Sequence, residues 1–319
     1  MTADPTIHVL TMADERYAMP LAVMGRSLLE RHRSGRPLVL RVIDDGMTAD
    51  SRRAVEESWK GASEGGARWE FVEPYYGQAE RLPVWGRVPA LTYARLFLND
   101  QFPDRAGRVV VLDSDVLVLA DIAELFEADL GEHVLGAAVD PFIPTVSALD
   151  GLPASVRKEI PADAPYFNAG VMVVDLARWR EKEVSRRALT YIERHYRELR
   201  QYDQDALNYV LHEHWRELEA GWNAQPRVTN ALGVRCPEQA RIAHFSGRLK
   251  PWLYQGGTEW DRAYFEVLER TAWKGFQVVG GWKALAWRVY DSPLRRLVHG
   301  LERRALAAQR TALLRWGMR

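Results

Sequence analysis

The stretch Val109-Val110-Val111-Leu112-Asp113-Ser114-Asp115-Val116-Leu117-Val118-Leu119 constrains this chain more than any other. A continuous apolar run is what a strand buried on both faces requires, and such strands belong to parallel sheets covered by helices on either side. Carboxylates are normally excluded from apolar runs, because burying an unpaired charge is costly. Two of them between two runs demand a compensating partner. In an extended segment residues i and i+2 face the same way, so Asp113 and Asp115 can converge on one cation. Oxygen ligands suit Mn2+ or Mg2+, and an ion bound this way usually also holds substrate phosphates. The pair stands at a strand end, where open α/β sheets place their ligands. Taken alone, Asp-x-Asp is a short pattern that an ordinary polar strand-end turn explains at least as well.

The rest of the chain supplies a sheet for that strand to join. Ile7–Thr11 reads as a strand running into a loop, MADERY. A helix follows to about His32, with Pro20 in its first turn, where a missing N–H costs nothing. Leu38–Ile43 is a second strand ending at Asp44 and Asp45, residues 48–60 a helix, and Trp69–Val72 a third strand. Strands alternating with helices give a parallel sheet with crossover connections. Residues 89–99 read as helical, and Asp121 opens another helix with Glu124 at capping-box spacing. Val134–Val139 and Gly170–Val174 are further buried strands, while 176–200 and 203–214 are mostly helical.

With 319 residues, 47% hydrophobic and 27% charged, the chain can bury its own core, which excludes a disordered or membrane-spanning class. The single cysteine, Cys236, rules out an intramolecular disulfide and a cysteine-based metal site, and reads as an inert small residue. The first residues lack a basic n-region and an apolar h-region, and no stretch approaches the roughly 18 apolar residues of a membrane span; the expectation is a cytoplasmic protein.

The net charge is zero but unevenly spread. From Thr271 to Arg319 ten Lys or Arg face two acids, so this segment carries +8 and residues 1–270 carry −8. Trp273, Trp282, Trp287 and Trp316 stand among the arginines, and Pro293 breaks the segment into helical pieces. Residues 271–319 are therefore expected to form a basic helical extension of a 1–270 domain. Apolar area and basic charge together suit an anionic membrane surface, the competing expectation being a helix pair packed on the core or on a partner subunit. No nucleic-acid motif accompanies the charge, so nucleic acid is not an expected partner.

Four more segments carry polar groups where a ligand could use them. In HFSGRLKPW, residues 244–252, His244 offers imidazole to a divalent ion, Gly247 lets the backbone approach a phosphate, and Lys250 supplies a point charge. In YFNAGVMVVDLARW the Asn168 amide can both donate to and accept from sugar hydroxyls. In YDQDALNYVL, Asp203, Gln204 and Asp205 open a helix. In TMADERYA, Asp14 can accept from a base N–H and Tyr17 offers a face for stacking. Each has a plain structural alternative: a satisfied core histidine, a turn asparagine, helix capping, a generic loop.

Together these segments resemble glycosyltransferase family 8, which includes the bacterial lipopolysaccharide galactosyltransferases and glycogenin. The resemblance runs from residue 6 to about 255 with all five motifs in the family's order. HFSGRLKPW resembles the family's His-x-x-Gly-x-x-Lys-Pro-Trp; FNAGVMVVDL, DQDALN and LTYARLFL, with Tyr93 and Arg95, also match. The resemblance implies a GT-A fold: an α/β, Rossmann-like, mixed but mostly parallel sheet flanked by helices. It implies Mn2+ (or Mg2+) on Asp113, Asp115 and His244, uracil at Asp14 and Tyr17, and the diphosphate at Gly247 and Lys250. Arg95, Asn168, Asp203 and Gln204 are expected around the donor sugar, with Gln204 and Asp203 as the catalytic pair. Thr11, Ala13, Ser114 and Ala169 complete the expected donor-binding set.

The implied activity is retaining transfer of galactose or glucose from a UDP-hexose to a hydroxyl of a glycan, lipid-linked or other glycoconjugate acceptor. One departure is Glu15-Arg16, where relatives often place Asp or Asn beside the tyrosine, so ribose contacts do not carry over there. The alternatives are a non-catalytic nucleotide-sugar-binding protein or a transferase using a different nucleotide-sugar. A hydrolase with paired carboxylates is disfavoured, because Asp113 and Asp115 are too close in sequence to flank a sugar from opposite faces.

Overall fold

The computed structural model describes residues 5–63, 66–77, 90–102, 107–226, 229, 236, 239–247, 250–253 and 258–278. The expected basic extension falls outside the described residues from 279 onward.

The N-terminal half alternates as its pattern requires: β1 (Ile7–Asp14), α1 (Ala18–Arg31), β2 (Leu38–Asp45), α2 (Ala49–Trp59) and β3 (Ala67–Val72). A 3-10 helix at Ala90–Phe97 runs into α3 (Leu98–Gln101) and is followed by β4 (Arg108–Leu112), β5 (Val116–Val118), α4 (Ile122–Phe126) and β6 (Leu135–Val139). Then come β7 (Phe167–Asp175), α5 (Leu176–Glu181), α6 (Val184–His195), α7 (Asp203–Leu211), β8 (Trp215–Glu217), β9 (Ile242–His244) and α8 (Glu259–Leu268).

Seven strands form one sheet in the order β3-β2-β1-β4-β7-β6-β8. All neighbours are parallel except β7, which runs antiparallel to both β4 and β6. Strand alternation sends successive side chains to opposite layers. Val109 and Val111 join Met172, Val174 and the α5–α7 residues in one core, whereas Val110 and Leu112 join Val171, Val173 and the α1–α2 residues in the other. Burial on both faces is why these strands read as unbroken apolar runs. A third apolar cluster joins Leu117, Ala243, Phe245, Trp252 and Tyr264, beneath α8.

The helical reading of 89–99 holds over its described residues, as a 3-10 helix at Ala90–Phe97 that runs into α3. Two expectations are corrected in detail. The helix expected over 176–200 is two helices, broken at Glu183, whose φ of 50° is left-handed. Asp121 caps α4 through Ala123 N (3.0 Å), but Glu124 faces Arg241 (4.0 Å), and the reciprocal capping box forms at Thr258–Asp261 instead. Burial pushes the Cys236 thiol up to about 12.

Candidate active site

β4 ends at Leu112, and Asp113 N still donates to Gly170 O of β7 (2.8 Å). The chain then turns through Ser114 and Asp115 into β5. Asp113 and Asp115 converge through this turn and not through strand alternation, which corrects the expected route to the same result. β5 pairs antiparallel with β9 in the register Val116↔His244, so the histidine arrives beside the aspartates. Ligand atoms of Asp113, Asp115 and His244 all lie within 4.8 Å of one another. His244 Nε2 is 3.3 Å from Asp115 Oδ1 and 3.6 Å from Asp113 Oδ2.

These residues fit a divalent cation. Asp115 Oδ1 is fully buried and has no hydrogen-bond donor, a costly condition for a carboxylate oxygen that a cation relieves. Two carboxylates and one imidazole are a donor set suited to Mn2+. Gly170 makes room for the cluster. A Cβ there would stand 2.3 Å from His244 Cε1 and 2.7 Å from Asp113 Oδ2.

Lys250 is buried beside this cluster, paired with Asp115 Oδ2 and donating to Phe245 O (2.7 Å). Burial pulls its ammonium down, but Asp115 outweighs burial and holds it above its ordinary value. Burial likewise pushes the Asp115 carboxyl up, and the paired Lys250 ammonium overturns that, holding it well below the usual carboxylate range. Both directions describe one buried ion pair. Gly247, with φ at 77°, makes the left-handed bend between β9 and Lys250.

Arg95 is buried between two acids. Its Nη2 donates to Asp113 Oδ1 (2.6 Å), its Nη1 to Ala169 O (2.6 Å), and its Nε lies 3.0 Å from Asp203 Oδ2. Thr92 Oγ1 donates to Asp203 Oδ1 (3.0 Å). Burial pushes the Asp203 carboxyl up against the pull of Arg95. Arg95 thus ties Asp113 of the cluster to Asp203 at the start of α7.

At the end of β1, Asp14 accepts from Arg16 N (3.0 Å) and from the Arg16 guanidinium (2.9 and 2.6 Å). Its carboxylate therefore already has donors from its own loop. Glu15 turns away and accepts from Thr48 N (2.8 Å) and Ser51 Oγ (2.7 Å) at the start of α2. The departure at Glu15-Arg16 thus serves the fold. Tyr17 is half-buried and meets Trp252 edge-on at 6.1 Å, joining the first motif to the last. Thr11, Ala13 and Ser114 are buried.

Asn168, Ala169 and Gln204 meet at the start of β7. Gln204 Oε1 accepts from Ala169 N (2.9 Å), and its Nε2 donates to Asp140 Oδ2 (3.1 Å). Asn168 Nδ2 donates to the same oxygen (2.8 Å). Two residues enter the site from outside the motifs, Asp140 and Asn223, and Gly170 enters from within one without having been singled out. Asp140 carries the same signal as Asp113, a carboxylate closing an apolar strand, Val134–Val139. Asn223 lies in a 3-10 turn and has no local signal.

An open α/β sheet with an Asp-Asp-His cluster fit for a cation at the end of a central strand, backed by a buried lysine and arginine, places its candidate site where open α/β proteins bind their ligands. Residues 8–256 match the model of glycosyl transferase family 8, and the chain belongs to that family. It is similar to general stress protein A of Bacillus subtilis, 29% identical over 86% of this chain and 96% of that protein. It is also similar to a probable galacturonosyltransferase-like protein of Arabidopsis thaliana, 32% identical over about half of each chain (51% and 50%). Among solved structures it resembles the galactosyltransferase LgtC in complex with donor and acceptor sugar analogues, with a TM-score of 0.68 and 25% identity over 83% of this chain and 96% of that one. The fold is GT-A and the protein is a glycosyltransferase.

Proposed function

We propose that this protein is a retaining hexosyltransferase that moves galactose or glucose from a UDP-sugar to a hydroxyl of a glycan or lipid-linked acceptor, using Mn2+. The observation that carries the reading is the convergence of Asp113, Asp115 and His244 beside buried Lys250. Bound to that cluster, Mn2+ supplies Lewis-acid stabilisation of the departing diphosphate. Lys250 adds a fixed positive charge in a water-poor setting, where preorganised electrostatics contributes most. Tyr17 and Asp14, at the end of β1, are the candidates for the uracil side. Arg95 holds Asp113 and Asp203 in one frame on the sugar side.

Gln204 and Asp203 are the residues assigned to the catalytic role. The Gln204 amide is hydrogen-bonded at both ends, and a carboxamide is a poor nucleophile. Asp203 is engaged by Thr92 and Arg95. Both features favour front-face attack by the acceptor, with Asp203 positioning the sugar. Residues 271–319 are assigned to an anionic membrane surface on the cytoplasmic side. Among the described residues no helix is long and apolar enough to cross a membrane.

A UDP-release assay over UDP-galactose, UDP-glucose and UDP-galacturonate, with Mn2+ or with EDTA, tests the proposal. One donor is expected to give metal-dependent release. Asp115→Ala is expected to lower it by at least about 100-fold, on the scale of losing a principal electrostatic element. Metal-dependent turnover that persists in Asp115→Ala would remove the assignment.

A further inference from the structure

His244 Nδ1 is 2.8 Å from Asn223 Oδ1, Asn223 Nδ2 donates to Asn168 Oδ1 (2.9 Å), and Asn168 Nδ2 donates to Asp140 Oδ2 (2.8 Å). All four side chains are buried. The direction of this chain is fixed at Asn168, between two groups that cannot exchange roles. Gly170 N, a backbone donor, points at Asn168 Oδ1 (3.0 Å), so that atom is the oxygen. A carboxylate oxygen accepts, so the end of Asn168 that faces Asp140 Oδ2 is the nitrogen. Asn223 must then present its NH2 group to Asn168 and its oxygen to His244. An imidazole nitrogen facing an amide oxygen carries the hydrogen. Nδ1 is therefore the protonated nitrogen, and Nε2 is the ligand atom facing Asp113 and Asp115. The same Asp140 oxygen also receives Gln204 Nε2 (3.1 Å).

We propose that Asn223 is a positioning residue for the metal site: anchored through Asn168 on Asp140, it fixes the tautomer and ring orientation of His244, and one carboxylate thereby sets both His244 and Gln204. This rests on the assignment of Asp113, Asp115 and His244 as the cation ligands. Asn223 is expected to govern cation affinity without touching the cation or the sugar.

The test is direct titration of Mn2+ by electron paramagnetic resonance, in the presence of UDP, on the full chain and three variants, with thermal midpoints recorded alongside. Asn223→Leu keeps the volume and removes the acceptor; Mn2+ affinity is expected to fall about 10–100-fold, the usual effect of losing such an outer partner. Asn223→Asp still accepts from Nδ1–H but cannot donate to Asn168. It is expected to keep Mn2+ affinity near wild type while kcat at saturating metal falls. His244→Ala separates the two levels of the claim. If His244→Ala binds Mn2+ as wild type does, the cation assignment itself fails and takes this inference with it. If His244→Ala loses binding while folded Asn223→Leu does not, the relay alone is overturned. Equal loss in Asn223→Asp and Asn223→Leu would mean that packing, not the acceptor, is responsible, and would also overturn it. Should Asn223→Leu not fold, Asn223→Asp decides: retained affinity with lowered kcat supports the relay, and lost affinity refutes it.

Discussion

Buried in the first turn of α7, Asp205 accepts from Tyr166 Oη (2.7 Å) and from the backbone N–H groups of Arg200 (2.9 Å) and Gln201 (3.0 Å). Burial pushes its carboxyl up to about 6 against the pull of those donors. A proton held more tightly in the folded state stabilises that state in acid. The contribution is complete below the unfolded value of about 3.9 and is lost as pH rises through 6; two units correspond to roughly 3 kcal/mol. Asn at this position can accept from the two backbone groups and donate to Tyr166. The unfolding free energy of wild type is therefore expected to fall relative to Asp205→Asn between pH 4 and pH 7, measured by urea denaturation. A pH-independent difference would contradict the proton uptake. At this scale the sequence is read well where a charge interrupts an apolar run, as at Asp113 and Asp115. It is read poorly where the partner is remote: Asn223 meets Asn168 across 55 residues and His244 across 21.

Among the elements, α1 and α2 meet where Gly25 faces Trp59. A Cβ on Gly25 would lie 2.3 Å from the Trp59 ring, and the indole cannot retreat. Its Nε1 donates to Ala22 O (3.1 Å), and its ring stacks on Phe71 at 6.0 Å. Gly25→Ala gains about 1 kcal/mol in helix propensity, but overpacking a fixed contact costs about 1–3 kcal/mol. Net destabilisation is expected in chemical denaturation; a variant as stable as wild type would mean that the two helices separate freely. Element identity is legible where a strand is an apolar run buried on both faces, as in β1, β2, β4, β6 and β7, and where a helix carries its start signal, as in α1 and α2. The 3-10 winding of Ala90–Phe97 is not legible, because its cause is tertiary. Side chains three apart eclipse in a 3-10 helix, and Thr92 and Arg95 both reach Asp203 that way. The break at Glu183 is hidden as well, since no glycine marks its left-handed backbone. β5, β8 and β9 are three residues each, too short for a period.

For the whole molecule, the described chain closes on itself near its far end. Arg270 pairs with Glu30 (2.8 Å), Ala272 N donates to Ser58 Oγ (2.9 Å), and Trp273 packs against the core. A chain ending after residue 278 keeps those contacts, so it tests the tail without opening the fold. On vesicles containing anionic lipid, the full chain is expected to float at low salt and the shortened chain to stay in the lipid-free fraction; equal recovery of both without lipid would remove the membrane assignment. The parallel-sheet architecture and the strand-end location of the site follow from local pattern, whereas the pairing of β5 with β9 does not. That pairing has a temporal consequence. Asp113 and Asp115 are complete early in synthesis, but His244 reaches them only when residues 242–244 zip onto 116–118, a contact of high sequence separation that forms slowly. The Asp-Asp-His cluster is therefore incomplete in any chain broken off before residue 244, and a cation held by all three residues would stabilise only the chain in which β5 and β9 have paired.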